Sequence, residues 1–454
     1  MAKMMAGNRL KLASNSRPLL DLVSKRGIKT TSIQLENYRY RFAIAGGGSG
    51  GIAIAAKLAK KYGKGKVVII EPSSTHYYQP LFTLVGGGLA DLPECTNATD
   101  SLIPPDCTLL KDEVKEFQPK QNCLVTGDGH QVHYEYLVMA TGIALNYDKV
   151  EGLTEALEYS DNVCTNYSPE YVRNTYYYMK NMTKGNALFT FPTPPIKCAG
   201  APQKIMYLAD AHWRNEGVRD NVNIQYYTAL GVLFGVKKFA DALNQICDER
   251  NLTRNYQRNL VKIDHVKKIA TFEDLSSENR KREDSPYDFI HVTPPMGPQE
   301  AVKDSELADS NGYVDVDKHT LQHVRYPNVF GIGDCTNTPN GKTVAAVAAQ
   351  LRALYKNLKA SVAGTPLKPK YDGYAACPLV TGNSKLILAE FDYDNQPLET
   401  FPFDQSEERY SMYLMKKYFL PPLYWKSLLK GTWLGPKEVR KGFQAVKRQV
   451  EKVA

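Results

Sequence analysis

An α/β fold built from two Rossmann-like domains is predicted by three stretches of this sequence. Residues 41–71 read as strand, glycine turn, helix and second strand. Residues 186–215 repeat strand, turn and helix without the glycines, and residues 327–334 form a return strand ending in a carboxylate. This pattern divides the chain into a first domain over 36–150 and 316–365, a second over 151–315, and a C-terminal region over 366–454. Apart from the two similar halves there is no repeat and no low-complexity segment.

In the first unit, 42–45 is a short apolar run, Gly46, Gly48 and Gly51 fit G-x-G-x-x-G, and 52–58 continues as an Ala-rich helix with no breaker. Gly46 permits the tight turn, and Gly48 lets the backbone approach a pyrophosphate. Gly51 lets the helix pack on the strand, so that with Ser49 and Gly50 the helix N-terminus faces the anion. Glu71 ends the second strand, 67–70, where a carboxylate accepts hydrogen bonds from the ribose hydroxyls of an adenosine. That indicates FAD or NAD rather than NADP.

The loop after Glu71 is rich in aromatics and glycine, which places Gln79 and Pro80 near a ligand, unless the loop merely packs on its own Tyr77, Tyr78 and Phe82. Residues 107–117, 122–125 and 131–139 read as short strands around the hairpin signal Gly127-Asp128-Gly129, with the backbone of Val114 available to an adenine edge. The strand 134–139 runs into Ala-Thr-Gly142, small residues that allow a crossover close to a cofactor. Asp334, at the end of the return strand, is assigned to the ribityl hydroxyls of a flavin. Lys342 and Thr343, opening the next helix, are assigned to its pyrimidine edge.

In the second unit the strand 186–191 is followed by Pro-Thr-Pro-Pro-Ile-Lys-Cys-Ala-Gly-Ala-Pro, where a nicotinamide domain would carry glycines. Cys198 stands there beside Lys197, near the start of a helix over 203–215, a setting that favours a thiolate. The remaining strand 223–228 and helix 236–250 complete a domain without a nicotinamide pocket.

Composition and charge narrow the function classes. With 43% hydrophobic and 23% charged residues the chain is an ordinary globular one. Residues 1–41 carry +7 and 409–454 carry +9, so with the whole at +9 the body from 42 to 408 carries −7, which argues against a nucleic-acid footprint. Residues 1–35, basic, Ser-containing and without a continuous apolar core, have transit-peptide composition and predict a mitochondrial address. No stretch reaches the about 18 uninterrupted apolar residues of a spanning helix, so membrane contact is expected to be peripheral. Aromatic and basic residues interleave over 410–433: Tyr410, Tyr413, Tyr418 and Phe419, a break at Pro421-Pro422, then Trp425 and Trp433. They predict short amphipathic helices lying on an anionic leaflet, with a core-packing or dimer-forming helix pair as the alternative. The eight cysteines show no CxxC and no metal-ligand spacing, so no metal site is expected and any redox pair is assembled from distant positions. Cys335 is expected to be packed, and Cys377 to stand in a loop before a strand over 386–392.

Through Gly46–Gly51, Glu71, 331–334 (Gly-Ile-Gly-Asp), 196–204 (Ile-Lys-Cys-Ala-Gly-Ala-Pro-Gln-Lys) and 371–382, the chain resembles the mitochondrial-type sulfide:quinone oxidoreductases of the disulfide-reductase flavoprotein class, over about 41–435. The flavin motifs are shared widely in that class, and the two cysteine segments single out the family. The resemblance implies FAD as cofactor, Cys198 and Cys377 as a redox-active pair over the flavin, and hydrogen sulfide and ubiquinone as substrates. It also implies a small thiol such as glutathione, or sulfite, as sulfur acceptor and an inner-membrane location. Chemically, hydrosulfide would attack Cys377 of a disulfide and leave a persulfide there, releasing the Cys198 thiolate towards the flavin. A type II NADH:quinone oxidoreductase shares the fold but needs the nicotinamide turn that 192–202 does not provide. A non-catalytic flavin-bearing protein, and a homodimeric assembly, stay open.

Overall fold

The computed structural model describes residues 36–453, with side chains described as far as Ala445; the transit-peptide expectation for 1–35 lies outside the described residues. The first sheet is built on strand β1 (Asn37–Ala45), whose last four residues are fully buried because layers cover both faces. Helix α1 (Ser49–Tyr62) follows at once and buries Ile52, Ile54, Ala55 and Leu58. Strand β2 (Val67–Ile70) pairs parallel to β1 in the register Phe42↔Val67 to Ala45↔Ile70. Next to β2 lies β3 (Cys107–Leu110); on the other side of β1 stand β6 (Gln131–Met139), β5 (Cys123–Thr126) and β4 (Val114–Gln118), giving the order β3-β2-β1-β6-β5-β4.

Residues 107–117 are therefore not one strand. Asp112 accepts the Glu113 and Asp128 N–H groups on its two carboxylate oxygens, at the bend where the chain leaves β3 for β4 on the opposite edge of the sheet. The hairpin between β5 and β6 forms as expected, with Gly129 at φ +87°.

A second, all-parallel sheet has the order β7-β11-β8-β9-β10, from β7 (Val163–Cys164), β8 (Gly185–Phe191), β9 (Val222–Thr228), β10 (Thr253–Tyr256) and β11 (Phe289–His291). Helices α2 (Ala201–Asn215) and α3 (Lys237–Glu249) connect its strands, each with a buried apolar face. The chain returns to the first sheet at β12 (Val329–Gly331), parallel to β6, and enters helix α4 (Val344–Val362), which packs on α1.

Two further elements differ from expectation. Cys377 is in a strand, not a loop: β13 (Ala375–Gly382) pairs antiparallel with β14 (Lys385–Phe391) and sets Cys377 opposite Ala389. Pro421-Pro422 does not break the C-terminal segment either. One helical run passes through an α-turn (Tyr410–Leu414), a π-turn (Met415–Phe419), a second α-turn (Leu420–Leu423) and a second π-turn (Tyr424–Leu428). Pro421 and Pro422 donate no N–H to the turn before them, and the wider π-turns on either side carry the helical run past that gap. This run buries Met412, Tyr413, Lys416, Tyr424 and Leu428 and leaves Tyr418 and Phe419 exposed. A last helix, α5 (Lys437–Val453), ends the described chain, and among the described residues no helix is long and apolar enough to cross a membrane.

Candidate active site

A cavity of about 790 Å³ opens at the C-terminal ends of β1, β2 and β6. At one end lies the glycine turn. Gly46 has φ +104°, and a Cβ there would strike the Ala140 carbonyl; a Cβ on Gly51 would strike the Gly46 carbonyl, so the helix approaches the strand as closely as glycine allows. Gly48 differs, because a Cβ there would meet nothing within 4 Å. The first turn of α1 carries no acidic residue and no side-chain cap, so its free N–H groups face the cavity. Glu71 accepts hydrogen bonds from the N–H groups of Gly47 (2.7 Å) and Ser73 (2.8 Å). Open space over Gly48, uncapped N–H groups and a terminal carboxylate fit an elongated dinucleotide with its pyrophosphate over α1.

Most of the sequence-predicted residues line this one cavity: Gly46, Gly48, Ser49, Gly50, Glu71, Gln79, Gly142, Cys198, Asp334, Lys342 and Thr343. Gly51 lies behind the turn. Val114 opens β4 at the far edge of the sheet and is not part of the lining. Enclosure pushes the Asp334 carboxyl pKa up, against the opposing charges of Lys342 and Lys197. Lys342 Nζ donates to the carbonyls of Asp334 (2.8 Å) and Thr336 (2.9 Å), and Thr343 caps α4 by accepting the Ala346 N–H. The 75–82 loop is both self-packed and cavity-lining: Tyr77 meets Phe82 edge-on, and Gln79 and Pro80 face the cavity.

Cys198 and Cys377 come from different elements and meet. Cys198 adopts φ +50° in the turn before α2, where its N–H donates to the Lys342 carbonyl and its carbonyl accepts the Ala201 N–H and the Tyr167 hydroxyl. Cys377, buried on β13, donates its thiol hydrogen bond to Cys198. That bond, reinforced by the Lys204 cation and opposed by burial, holds Cys198 well below the ordinary thiol pKa. The same bond and burial push Cys377 well above it. Lys204 Nζ lies 3.2 Å from Cys198 Sγ; burial works against its charge, but the two sulfurs outweigh burial and raise its pKa. Lys416, donating to the Pro80 carbonyl at 2.9 Å, is buried, and desolvation together with the Lys204 charge lowers it to about 7. Cys335 is packed, as expected, with its thiol on the Met139 and Ile332 carbonyls.

Lys204, His76 and Tyr424 are given no role by the sequence pattern, whereas Lys416, expected among the basic residues facing an anionic leaflet, is instead buried on the cavity wall. Tyr424 OH sits 2.7 Å from Ser49 Oγ and 2.6 Å from His76 Nε2, while His76 Nδ1 lies 3.2 Å from the Gly47 carbonyl. The C-terminal run is thus bolted to the glycine turn. Lys204 carried a legible signal, being six residues from Cys198 at the start of the same helix; Lys416 and Tyr424 carried none. Beyond the dithiol the cavity continues between β13, β14 and the C-terminal run, lined by Tyr374, Leu388, Phe401, Met415, Phe419 and Trp433.

Residues 40–170 match the family Pyridine nucleotide-disulphide oxidoreductase. The chain is 49% identical over 404 residues to the mitochondrial sulfide:quinone oxidoreductase of Mus musculus, covering 89% of each chain. It is 44% identical to the Dictyostelium discoideum protein of the same name, over 91% of this chain and 90% of the relative. The solved sulfide:quinone oxidoreductase of Aquifex aeolicus superposes with a TM-score of 0.72 at 19% identity, over 88% of this chain and 94% of that one, which shows a shared fold. At this identity and coverage the chain belongs to the mitochondrial sulfide:quinone oxidoreductase family.

Proposed function

We propose that the protein oxidises hydrogen sulfide through Cys198 and Cys377 with FAD and delivers the electrons to a quinone. The observation that carries this reading is the meeting of the two cysteines beside Lys204, with Cys198 on the wall of the cavity that fits the dinucleotide. In the oxidised protein the pair is a disulfide. Hydrosulfide attacks Cys377 Sγ; a new S–S bond forms, the bond to Cys198 breaks, and Cys198 leaves as a thiolate. Lys204 holds that thiolate, and its low pKa makes Cys198 the better leaving group of the two. A small acceptor, a glutathione thiolate or sulfite, then takes the outer sulfur of the Cys377 persulfide. Cys377 is left as a thiolate, and the two thiolates lose two electrons as the disulfide re-forms. FAD, when bound, supplies the two-electron acceptor beside Cys198, held by Gly46–Gly51, Glu71, Gly142, Asp334, Lys342 and Thr343.

The apolar end of the cavity suits a quinone ring, and exposed Tyr418 and Phe419 beside Lys417 suit a peripheral site on the membrane from which quinone enters. The named relatives support a mitochondrial location. Anaerobic mixing tests the proposal: sulfide bleaches the flavin of the wild type, NADH does not, and Cys198→Ser and Cys377→Ser lose sulfide-dependent quinone reduction. Turnover near wild type in either serine variant sinks it.

A further inference from the structure

A second cavity, of about 300 Å³, lies between α4, the 369–374 loop and α5, next to the redox cavity and sharing Tyr374 and Pro436 with it. Six cations line it: Arg352 and Lys356 on α4, Lys370 on the loop, and Lys437, Arg440 and Lys441 on α5. Two carboxylates oppose them. Glu438 pairs with Arg352 and Lys441, and Asp372 pairs with Lys437. Among the described residues no carboxylate pairs with Arg440, Lys356 or Lys370.

Two of the guanidinium groups each hold a buried Nε–H without an acceptor. Arg440 is only 7% exposed, its guanidinium lies 4.8 Å from the Tyr374 ring centroid, and its Nε has no hydrogen-bond partner; the buried Nε of Arg352 has none either. A guanidinium N–H removed from water without an acceptor is costly, and native structures regularly satisfy such groups with an ion or water. A tetrahedral oxyanion matches the arrangement, because its oxygens accept paired N–H bonds from a planar guanidinium while its charge answers the surplus of cations. We infer that this cavity is a binding site for a phosphoryl group, as free phosphate or as the phosphodiester of a lipid headgroup, with Arg440 and Arg352 as the principal donors and Lys356 at the rim.

The test uses the full-length, FAD-loaded protein. Thermal melting is followed in inorganic phosphate and in chloride at matched ionic strength, and co-sedimentation with phosphatidylcholine vesicles is measured with and without phosphatidylglycerol. Arg440→Gln removes a buried donor. Lys356→Gln removes an exposed one at no risk to folding, and Lys359→Gln removes an equal charge from the same helix outside the cavity. Phosphate is expected to raise the melting temperature of the wild type and of Lys359→Gln. The concentration needed should rise about tenfold or more in Arg440→Gln and Lys356→Gln. If the headgroup is the source, phosphatidylglycerol vesicles retain the wild type, free phosphate competes, and the two cavity variants are released. If free phosphate is the source, only the melting response depends on the cavity residues. Melting in phosphate no different from chloride together with equal vesicle retention by all four proteins overturns the inference, as does an equal loss in Lys359→Gln and Lys356→Gln.

Discussion

Lys204 Nζ stands 3.2 Å from Cys198 Sγ, and both belong to one turn-and-helix unit, so the thiolate and its counter-charge are delivered together. Lys204 is 2% exposed, which removes the solvent screening that would weaken the pair. Lys204→Met keeps the aliphatic volume and removes the charge. In the dithiol protein, the pH midpoint for alkylation of Cys198 is expected to rise by about one to two units, with sulfide turnover falling in parallel. An unchanged midpoint would show that the Cys377 hydrogen bond alone sets the thiolate.

The glycine turn separates fold from ligand. Gly51→Ala drives a Cβ into the Gly46 carbonyl and is expected to lower the melting temperature of the FAD-free protein. Gly48 sits at φ −72° with open space beside it, so Gly48→Val leaves the FAD-free protein's melting close to wild type and instead obstructs the pyrophosphate. The expected result is loss of FAD retention on gel filtration without loss of fold. FAD retention by Gly48→Val equal to wild type would remove the pyrophosphate assignment.

Local signals made this much legible in advance. A glycine spacing, an apolar run and a terminal acid specify β1, α1 and β2 because every constraint is satisfied within thirty or so residues of chain. The C-terminal region was misread for the opposite reason. Cys377 lies in a strand because β14 pairs with β13, and Pro421-Pro422 is carried through because neighbouring π-turns and a buried face support it. Neither support is visible at the residues concerned. The Tyr424–Ser49 contact joins positions 375 apart in sequence, and no periodicity encodes a pairing of that kind.

His76 ties that distant contact to pH. Burial lowers its pKa from 6.5 to about 4, so it is neutral as it bridges Tyr424 and the Gly47 carbonyl. Between pH 6.5 and 4 the unfolded chain binds a proton that the folded site refuses, so stability is expected to fall as pH drops through that window, by roughly 3 kcal/mol from this residue. His291, lowered by burial to about 3, adds to the same acid limb. His76→Gln removes its contribution, and denaturant melts at pH 7 and pH 4.5 should differ less than in the wild type. An identical acid limb in the variant would mean that His76 is not held neutral.

The exposed face of the C-terminal run carries the last expectation. Tyr410, Tyr418 and Phe419 are 59%, 62% and 60% exposed, whereas Tyr413 is buried and Lys416 and Tyr424 are buried in the cavity lining. One helical run therefore lines the cavity through Met415, Lys416 and Tyr424, presents Tyr410 and Tyr418 to solvent, and sets Phe419 at the margin between the two. On the proposed function that geometry would suit a quinone dissolved in lipid, with the entrance placed where the aromatics meet the interface. The double change Tyr410→Ser, Tyr418→Ser removes exposed aromatic surface outside the cavity lining, so melting should stay close to that of the wild type. Retention on liposomes should fall more than tenfold, and turnover with a long-tailed quinone should fall further than with a short, water-soluble one. If the same face instead joins two copies of the chain, the double variant will sediment as a smaller species while holding to liposomes as tightly as before, and the membrane reading is lost.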